Sequence, residues 1–347
     1  MQQKPLTPLV SVIVPAYNHE RYVQETIRSI IAQTYMNIEL LVTDDGSTDG
    51  TFAKISELED ECRVRFAAMR FTTQKNAGVC ATLNSLFADA HGEFVYIIAS
   101  DDVAEPHAIE TLLGCFDSSD IVFAVGDNSI IDSASNITGW GTGWGTDRDI
   151  DDGKIIFDSC WDYACYWRPE LRRLGEDFGS YESLVRGPYI TNGYLIRQSA
   201  LLEAGGWQDG TLDDWYMQLQ LAKLGRFKFV NEKLFRYRWH GTNTVRQKDT
   251  MRKLSVATKK YEEENVLNSG DSALIKKYYE NVSFSPDFYH ALDQLIAGCS
   301  EYKNDFYYYY SRLRHPTKKQ RFFHIMSFIP FGFRLLWFYR LLKTGNK

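Results

Sequence analysis

The first 125 residues alternate short β-branched runs with stretches of helical spacing, and few architectures accept that pattern. Val10-Ser11-Val12-Ile13-Val14 is ended by Pro15, and residues 38–43 stop at Asp44-Asp45-Gly46-Ser47. Residues 64–69, 94–99 and 121–125 complete five predicted strands. After the first, Asn18 is a candidate helix N-cap and Glu20 falls in the first turn. Tyr22, Val23, Ile27, Ile30 and Ile31 then recur at helical spacing. A second helix is predicted over 49–58. Runs rich in Val and Ile between helices imply an α/β fold with a mainly parallel central sheet and helices on both faces. Such sheets bind ligands beyond the C-terminal ends of their strands. Pro15-Ala16-Tyr17, Asp44-Asp45 and Asp101-Asp102 all fall there.

Two acidic pieces carry the chemistry. Ser100-Asp101-Asp102 ends the apolar run Phe94-Val95-Tyr96-Ile97-Ile98-Ala99, and Asp213-Asp214-Trp215 begins seven residues after Gly206. Carboxylates at the tip of a buried strand are costly without a cationic partner. A divalent metal carrying a phosphorylated substrate is one such partner. The second pair would then act as a base across the same cleft, the layout of an enzyme that moves a group off a nucleotide diphosphate. Plainer roles stand beside these. Asp213 can N-cap a helix marked by Trp215, Leu219 and Ala222, and Asp44 and Asp49 can face a helix dipole.

The chain of 347 residues is 44% hydrophobic and 24% charged, ordinary for a globular protein large enough for one big domain and an accessory region. From Ser311 onward there are nine Lys or Arg and no acid, although the whole chain carries −6. The remainder is therefore strongly acidic, which argues against nucleic acid as a partner. Six scattered cysteines read as reduced thiols, and the polar residues before Val10 do not resemble a secretory leader; both imply a cytoplasmic chain. Residues 139–153 form a Gly-rich loop bearing Trp140 and Trp144, which either close over a ligand or pack on the domain. Beyond about residue 250 the chain turns to long polar and aromatic helical stretches, including Phe306-Tyr307-Tyr308-Tyr309-Tyr310.

Residues 318–343 mix apolar bulk with positive charge, but His324, Pro330, Gly332, Arg334 and Arg340 interrupt any spanning run. Arg334, Arg340 and Lys343 share one half of a predicted helix, as expected of a helix lying in the interface of an anionic membrane. The alternative is a helical arm packed on the catalytic domain or on a second subunit.

Several motifs then fall in a familiar order: Val12-Ile13-Val14-Pro15-Ala16-Tyr17-Asn18, Thr43-Asp44-Asp45-Gly46-Ser47-Thr48-Asp49, Asn76-Ala77-Gly78-Val79, and Ser100-Asp101-Asp102. Gly205-Gly206-Trp207, Asp213-Asp214 and Tyr237-Arg238-Trp239-His240 follow. Together they resemble a bacterial family 2 inverting glycosyltransferase of GT-A fold over residues 8–245. The resemblance implies a Rossmann-like GT-A catalytic domain over 1–248, with a nucleotide-sugar half over about 1–125 and an acceptor half over about 126–248. A helical region over 249–347 follows.

The resemblance also implies roles. Asp45 would accept the uracil N3–H, with Tyr17 stacked near the base, Pro15 beside it, and Asn76 and Gly78 completing the nucleotide side. Asp101 would be the main ligand of Mn²⁺ or Mg²⁺, with Asp102 in support and His240 approaching the metal or diphosphate. Relatives often carry a further carboxylate two places before the ligand; here that place is Ala99. Asp214 would be the base, with Gly206, Trp207 and Asp213 on the acceptor side and Thr191-Asn192-Gly193 as the wall behind the donor. Arg236 and Arg238 would either offset the leaving diphosphate or pair with acids. The implied reaction transfers a hexose or N-acetylhexosamine from a UDP-sugar to a glycan acceptor, lipid-linked on a polyprenyl diphosphate, at the inner face of the membrane.

Two competing classes are set against this reading. A nucleotidyltransferase would need a Gly- and Lys/Arg-rich loop after the first strand, and Pro15-Ala16-Tyr17-Asn18 is not one. A non-catalytic carbohydrate-binding scaffold would have no need of Asp45, Asp101 and Asp214 together.

Overall fold

The computed structural model describes residues 7–143, 148–150, 154, 156–329 and 332. Nine strands make one sheet: β1 (Val10–Ala16), β2 (Ile38–Asp44), β3 (Ala68–Thr73), β4 (Phe94–Ile97), β5 (Val103–Ala104), β6 (Ile121–Ile131), β7 (Ile137–Thr138), β8 (Tyr194–Arg197) and β9 (Arg226–Arg238). Helices of the first 275 residues are α1 (Val23–Ile31), α2 (Thr51–Ser56), α3 (Glu59–Arg65), α4 (Val79–Ala88), α5 (Ala108–Leu113), α6 (Cys160–Trp167), α7 (Tyr181–Val185), α8 (Gln198–Ala204), α9 (Asp213–Leu221) and α10 (Lys248–Ser269). They are followed by α11 (Ser272–Asn281), α12 (Ser285–Ile296), α13 (Lys303–Ser311) and α14 (Lys318–Met326).

The strand order is β3-β2-β1-β4-β8-β6-β9-β5, with β7 paired to β6. β3, β2, β1 and β4 run parallel, and β8 lies antiparallel between β4 and β6. The register Ile97↔Tyr194↔Val125 aligns the end of β4 and the middle of β6 with the start of β8. Apolar strand residues such as Val12, Val14, Leu40, Val42 and Tyr96 pack with Val23, Ile27 and Ile30 of α1 in one buried core.

Two local expectations give way. The third strand is Ala68–Thr73, not 64–69, because Val64 belongs to α3, where it is 91% exposed. Asn18 does not cap α1. It turns left-handed at φ 54, and its side chain accepts the Thr48 N–H at 2.8 Å, pinning the loop after β1 to the loop after β2.

The chain divides into two compact units, Met1–Ile275 and Lys276–Lys347. In the second, Phe288 of α12 meets Phe306 of α13 at 4.9 Å, and Tyr310 stacks on His324 of α14 at 3.6 Å. A capping box between Thr317 and Gln320 starts α14. Arg334, Arg340 and Lys343, like Trp144, lie outside the described residues. No helix among the described residues is long and apolar enough to cross a membrane.

Candidate functional site

The C-terminal ends of β1, β2 and β4 bring the first set of residues together. After β1, Pro15 is half-buried and Tyr17 is exposed. At the end of β2, Asp45 is buried and accepts the N–H groups of Ala77 and Gly78 and the Gln74 amide at 2.8–2.9 Å. Its carboxylate thus shapes the Asn76-Ala77-Gly78 loop. Gly46 permits that approach: it sits at φ 71, and a Cβ there would fall 2.6 Å from the Asn76 nitrogen. Asp44 accepts from Thr73 Oγ1 at 3.0 Å through Oδ2, while its Oδ1 is buried with no partner.

Beyond β4 the chain builds a group the sequence reading saw only in part. Asp101 Oδ2 lies 2.9 Å from His240 Nε2 and 3.8 Å from His19 Nε2. His19, Asp101 and His240 each offer one ligand atom, and these lie within 4.8 Å of one another. The rings are held from behind. His19 Nδ1 lies 2.8 Å from Ser100 Oγ, and His240 Nδ1 lies 2.8 Å from Thr242 Oγ1, with Tyr22 packed 5.0 Å from the His240 ring. Burial raises the Asp101 carboxyl, but the His240 hydrogen bond and the two imidazoles outweigh it and hold the group below its ordinary range. Burial lowers the His19 imidazole against the pull of Asp101.

Asp102 is spent differently. Its carboxylate accepts the Arg238 N–H at 2.8 Å and the Asn192 amide at 3.4 Å, and it is not part of the His19–Asp101–His240 group. Burial, then the Asp101 charge, push it well above the usual carboxylate range. Arg238, fully buried, donates to the Asp101 carbonyl at 2.6 Å and to Glu25 at 2.7 Å, and Arg236 pairs with Glu105 at 2.7 Å. Both guanidiniums therefore pair with acids.

The donor set suits a metal. Two imidazoles and one carboxylate, oriented by hydroxyls, match Mn²⁺ better than Mg²⁺, which prefers an all-oxygen shell. His240 Nδ1 accepts the Thr242 N–H at 3.3 Å, so its ring proton points from Nε2 to Asp101.

The second acidic pair opens α9. The Tyr194 hydroxyl, on the β8 residue opposite Ile97, donates to Asp214 Oδ1 at 2.5 Å. Asp214 is thereby tied to the end of the sheet where Ser100 and Asp101 lie. Burial, then the neighbouring Asp213 charge, push Asp214 up to about 7, and burial raises Asp213 too. Below this pair, Asn84 grips Trp207 twice, accepting its N–H and donating to its carbonyl at 2.8 Å each. Gly206 makes room at φ 82, where a Cβ would collide with Asn84. Trp207 is buried, and its indole N–H has no partner.

Sequence reasoning missed His19 and Tyr194. His19 follows the Asn18 taken for a helix cap; its one signal was its place just past the first strand. Tyr194 reads as an ordinary strand residue. Trp140 of the Gly-rich loop takes the packing course: it is 3% exposed, edge-on to Tyr163 at 5.1 Å and Trp239 at 5.3 Å.

Comparison with known proteins adds the family. Residues 11–175 match the model of glycosyl transferase family 2. An uncharacterized glycosyltransferase of Nostoc sp. is 29% identical over 245 residues, covering 67% of this chain and 66% of that one. The chondroitin synthase of Escherichia coli is 27% identical over 272 residues, 78% of this chain but 34% of that protein. The chain thus spans about two thirds of the first relative and a third of the second. The crystal structure of S. aureus TarS 1-349 in complex with UDP-GlcNAc superposes with a TM-score of 0.57 at 14% identity, covering 86% of this chain and 80% of that one. By sequence match over residues 11–175 the chain is similar to glycosyl transferase family 2, and its fold is the GT-A architecture.

Proposed function

We propose that this protein is a metal-dependent inverting glycosyltransferase. It moves a hexose or N-acetylhexosamine from a UDP-sugar to a hydroxyl of a glycan acceptor carried on a polyprenyl diphosphate. The β-linked product would enter a bacterial surface polysaccharide such as O-antigen or capsule. The observation that carries this reading is the pairing, at one end of the sheet, of an ionised Asp101 between two imidazoles with an Asp214 pushed up to about 7. A carboxyl near neutrality is suited to take a proton at working pH. The UDP-GlcNAc complex of the TarS fragment supports a UDP-sugar as the donor class.

In this reading Asp101, His240 and His19 would hold Mn²⁺ or Mg²⁺, with His19 standing in for the carboxylate absent at Ala99, and Asp102 fixes the Arg238 backbone of β9. When bound, the metal supplies Lewis-acid neutralisation of the departing diphosphate. Pro15, Tyr17, Asp45, Asn76 and Gly78 border the uridine, and the unpartnered Asp44 Oδ1 is a further acceptor for a base N–H. Asp214 takes the proton of the acceptor hydroxyl as its oxygen bonds to the anomeric carbon and UDP leaves with the electron pair. Gly206, Trp207 and Asp213 form the acceptor side. The C-terminal region would hold the enzyme at the inner face of the membrane. Supporting this, α14 and the turn after it expose Phe322, Ile325 and Phe328 near Lys318, Lys319 and Arg321.

The test is nucleotide release from a panel of nucleotide sugars, with Mn²⁺ or EDTA and a lipid-linked acceptor. Metal-dependent release from a UDP-sugar is expected, falling about 10²–10⁴-fold in Asp214→Asn. Release unchanged by that substitution contradicts the reading. Absence of both release and donor binding would favour the non-catalytic scaffold.

A further inference from the structure

The cations first considered for a departing diphosphate are already engaged: Arg236 by Glu105 and Arg238 by Glu25. Arg246 is likewise paired with Asp149, at 2.8 and 2.5 Å. Arg148 differs. It has no acidic partner among the described residues. Its guanidinium stacks 4.3 Å from the Trp140 ring, 4.7 Å from Tyr163 and 5.7 Å from Trp239, and its Nε is buried with no acceptor. Aromatic faces hold the cation in place but leave its Nε–H unsatisfied, a cost that an anion would remove.

The cage stands beside the metal group. Trp239 immediately precedes His240 in the chain. The Arg148 charge reaches the Cys160 thiol and the Tyr237 hydroxyl, and both groups also feel Asp102. Arg148 and the residue after it are each held in place. The Gly141 N–H donates to the Arg148 carbonyl at 2.7 Å, and Asp149 accepts the Trp239 indole N–H at 2.6 Å.

We propose that Arg148 binds the terminal phosphate of the nucleotide diphosphate, an inference that rests on the donor reading above. As the bond from the anomeric carbon to the phosphate oxygen breaks, the electron pair stays on that oxygen. The guanidinium N–H groups meet the added charge. Trp140, Tyr163 and Trp239 act as positioning residues by holding the guanidinium plane.

Calorimetry on the full chain in Mn²⁺ tests this with UDP and UMP as probes. Arg148→Gln is expected to weaken UDP binding about 10–100-fold, as for loss of charged hydrogen bonds, and to leave UMP binding little changed. Arg148→Met keeps an unbranched stem in the aromatic cage and carries the test if the Gln variant fails to fold. Equal losses for UDP and UMP, or no loss for either, would mean a purely structural arginine and overturn the inference alone. A wild-type chain that binds no UDP would overturn the donor reading and this inference with it.

Discussion

Two Asp-Asp pairs end up at the same side of this sheet, and only one of their four carboxylates is held below its ordinary range. Asp101 is buried but meets two imidazoles, so it is held ionised, while its neighbour Asp102 is driven towards the neutral acid and locks the Arg238 backbone. Asp213 and Asp214 are only half-buried but are desolvated together at the start of α9, with Tyr194 donating to Asp214, and both are raised. The dipeptide does not decide the role. Surrounding cations and donors make a carboxylate suited to hold a metal; burial beside a like charge makes one suited to take a proton.

The largest effect that could break this contrast is at the imidazoles. His240→Ala and His19→Ala are each expected to weaken Mn²⁺ binding by more than about 100-fold, beyond what losses outside the ligand shell cost. Asp102→Asn, whose amide oxygen still accepts the Arg238 N–H, should change it far less. Titration followed by Mn²⁺ paramagnetic resonance checks this, and a loss at Asp102 equal to that at His19 would restore Asp102 as a ligand.

A smaller effect sharpens the other half. Asp214 is raised, so the proposed base is ionised above about 7 and the transfer rate should fall as pH drops through that value. The Tyr194 hydroxyl lowers Asp214 through its hydrogen bond. Tyr194→Phe should therefore move the pH–rate midpoint upward, and a downward shift would remove Tyr194 from contact with the base. The smallest effect lies far from both pairs. Val64→Lys, on the exposed face of α3, should alter unfolding free energy by less than about 0.5 kcal/mol. A cost of several kcal/mol would return Val64 to a buried strand.

The same contrast explains what the sequence could disclose. β1, β2, β4 and β6 were legible because a strand buried on both faces must be apolar throughout, and the acids at their ends break that run abruptly. Asp101, His240 and Asp214 stood out through their motifs. His19 did not, because its meaning comes from Asp101, 82 residues later in the chain. Tyr194 depends on sheet register in the same way, since only the antiparallel β8 sets it opposite Ile97. Asn18 was misread because a residue suited to cap a helix also tolerates the left-handed turn it adopts here. The third strand was misplaced because Val64 sits in a short helix whose flanking charges give a weak period.

The most direct test sets the two pairs against each other in one experiment. Mn²⁺-dependent UDP binding and single-turnover sugar transfer would be measured for wild type, Asp101→Asn and Asp214→Asn. Asp214→Asn should bind UDP as wild type does and lose about 10²–10⁴-fold in turnover, whereas Asp101→Asn should lose the metal-dependent part of UDP binding. The reverse pattern, with Asp214→Asn losing metal-dependent binding and Asp101→Asn keeping it, would contradict the division of labour proposed for the two pairs.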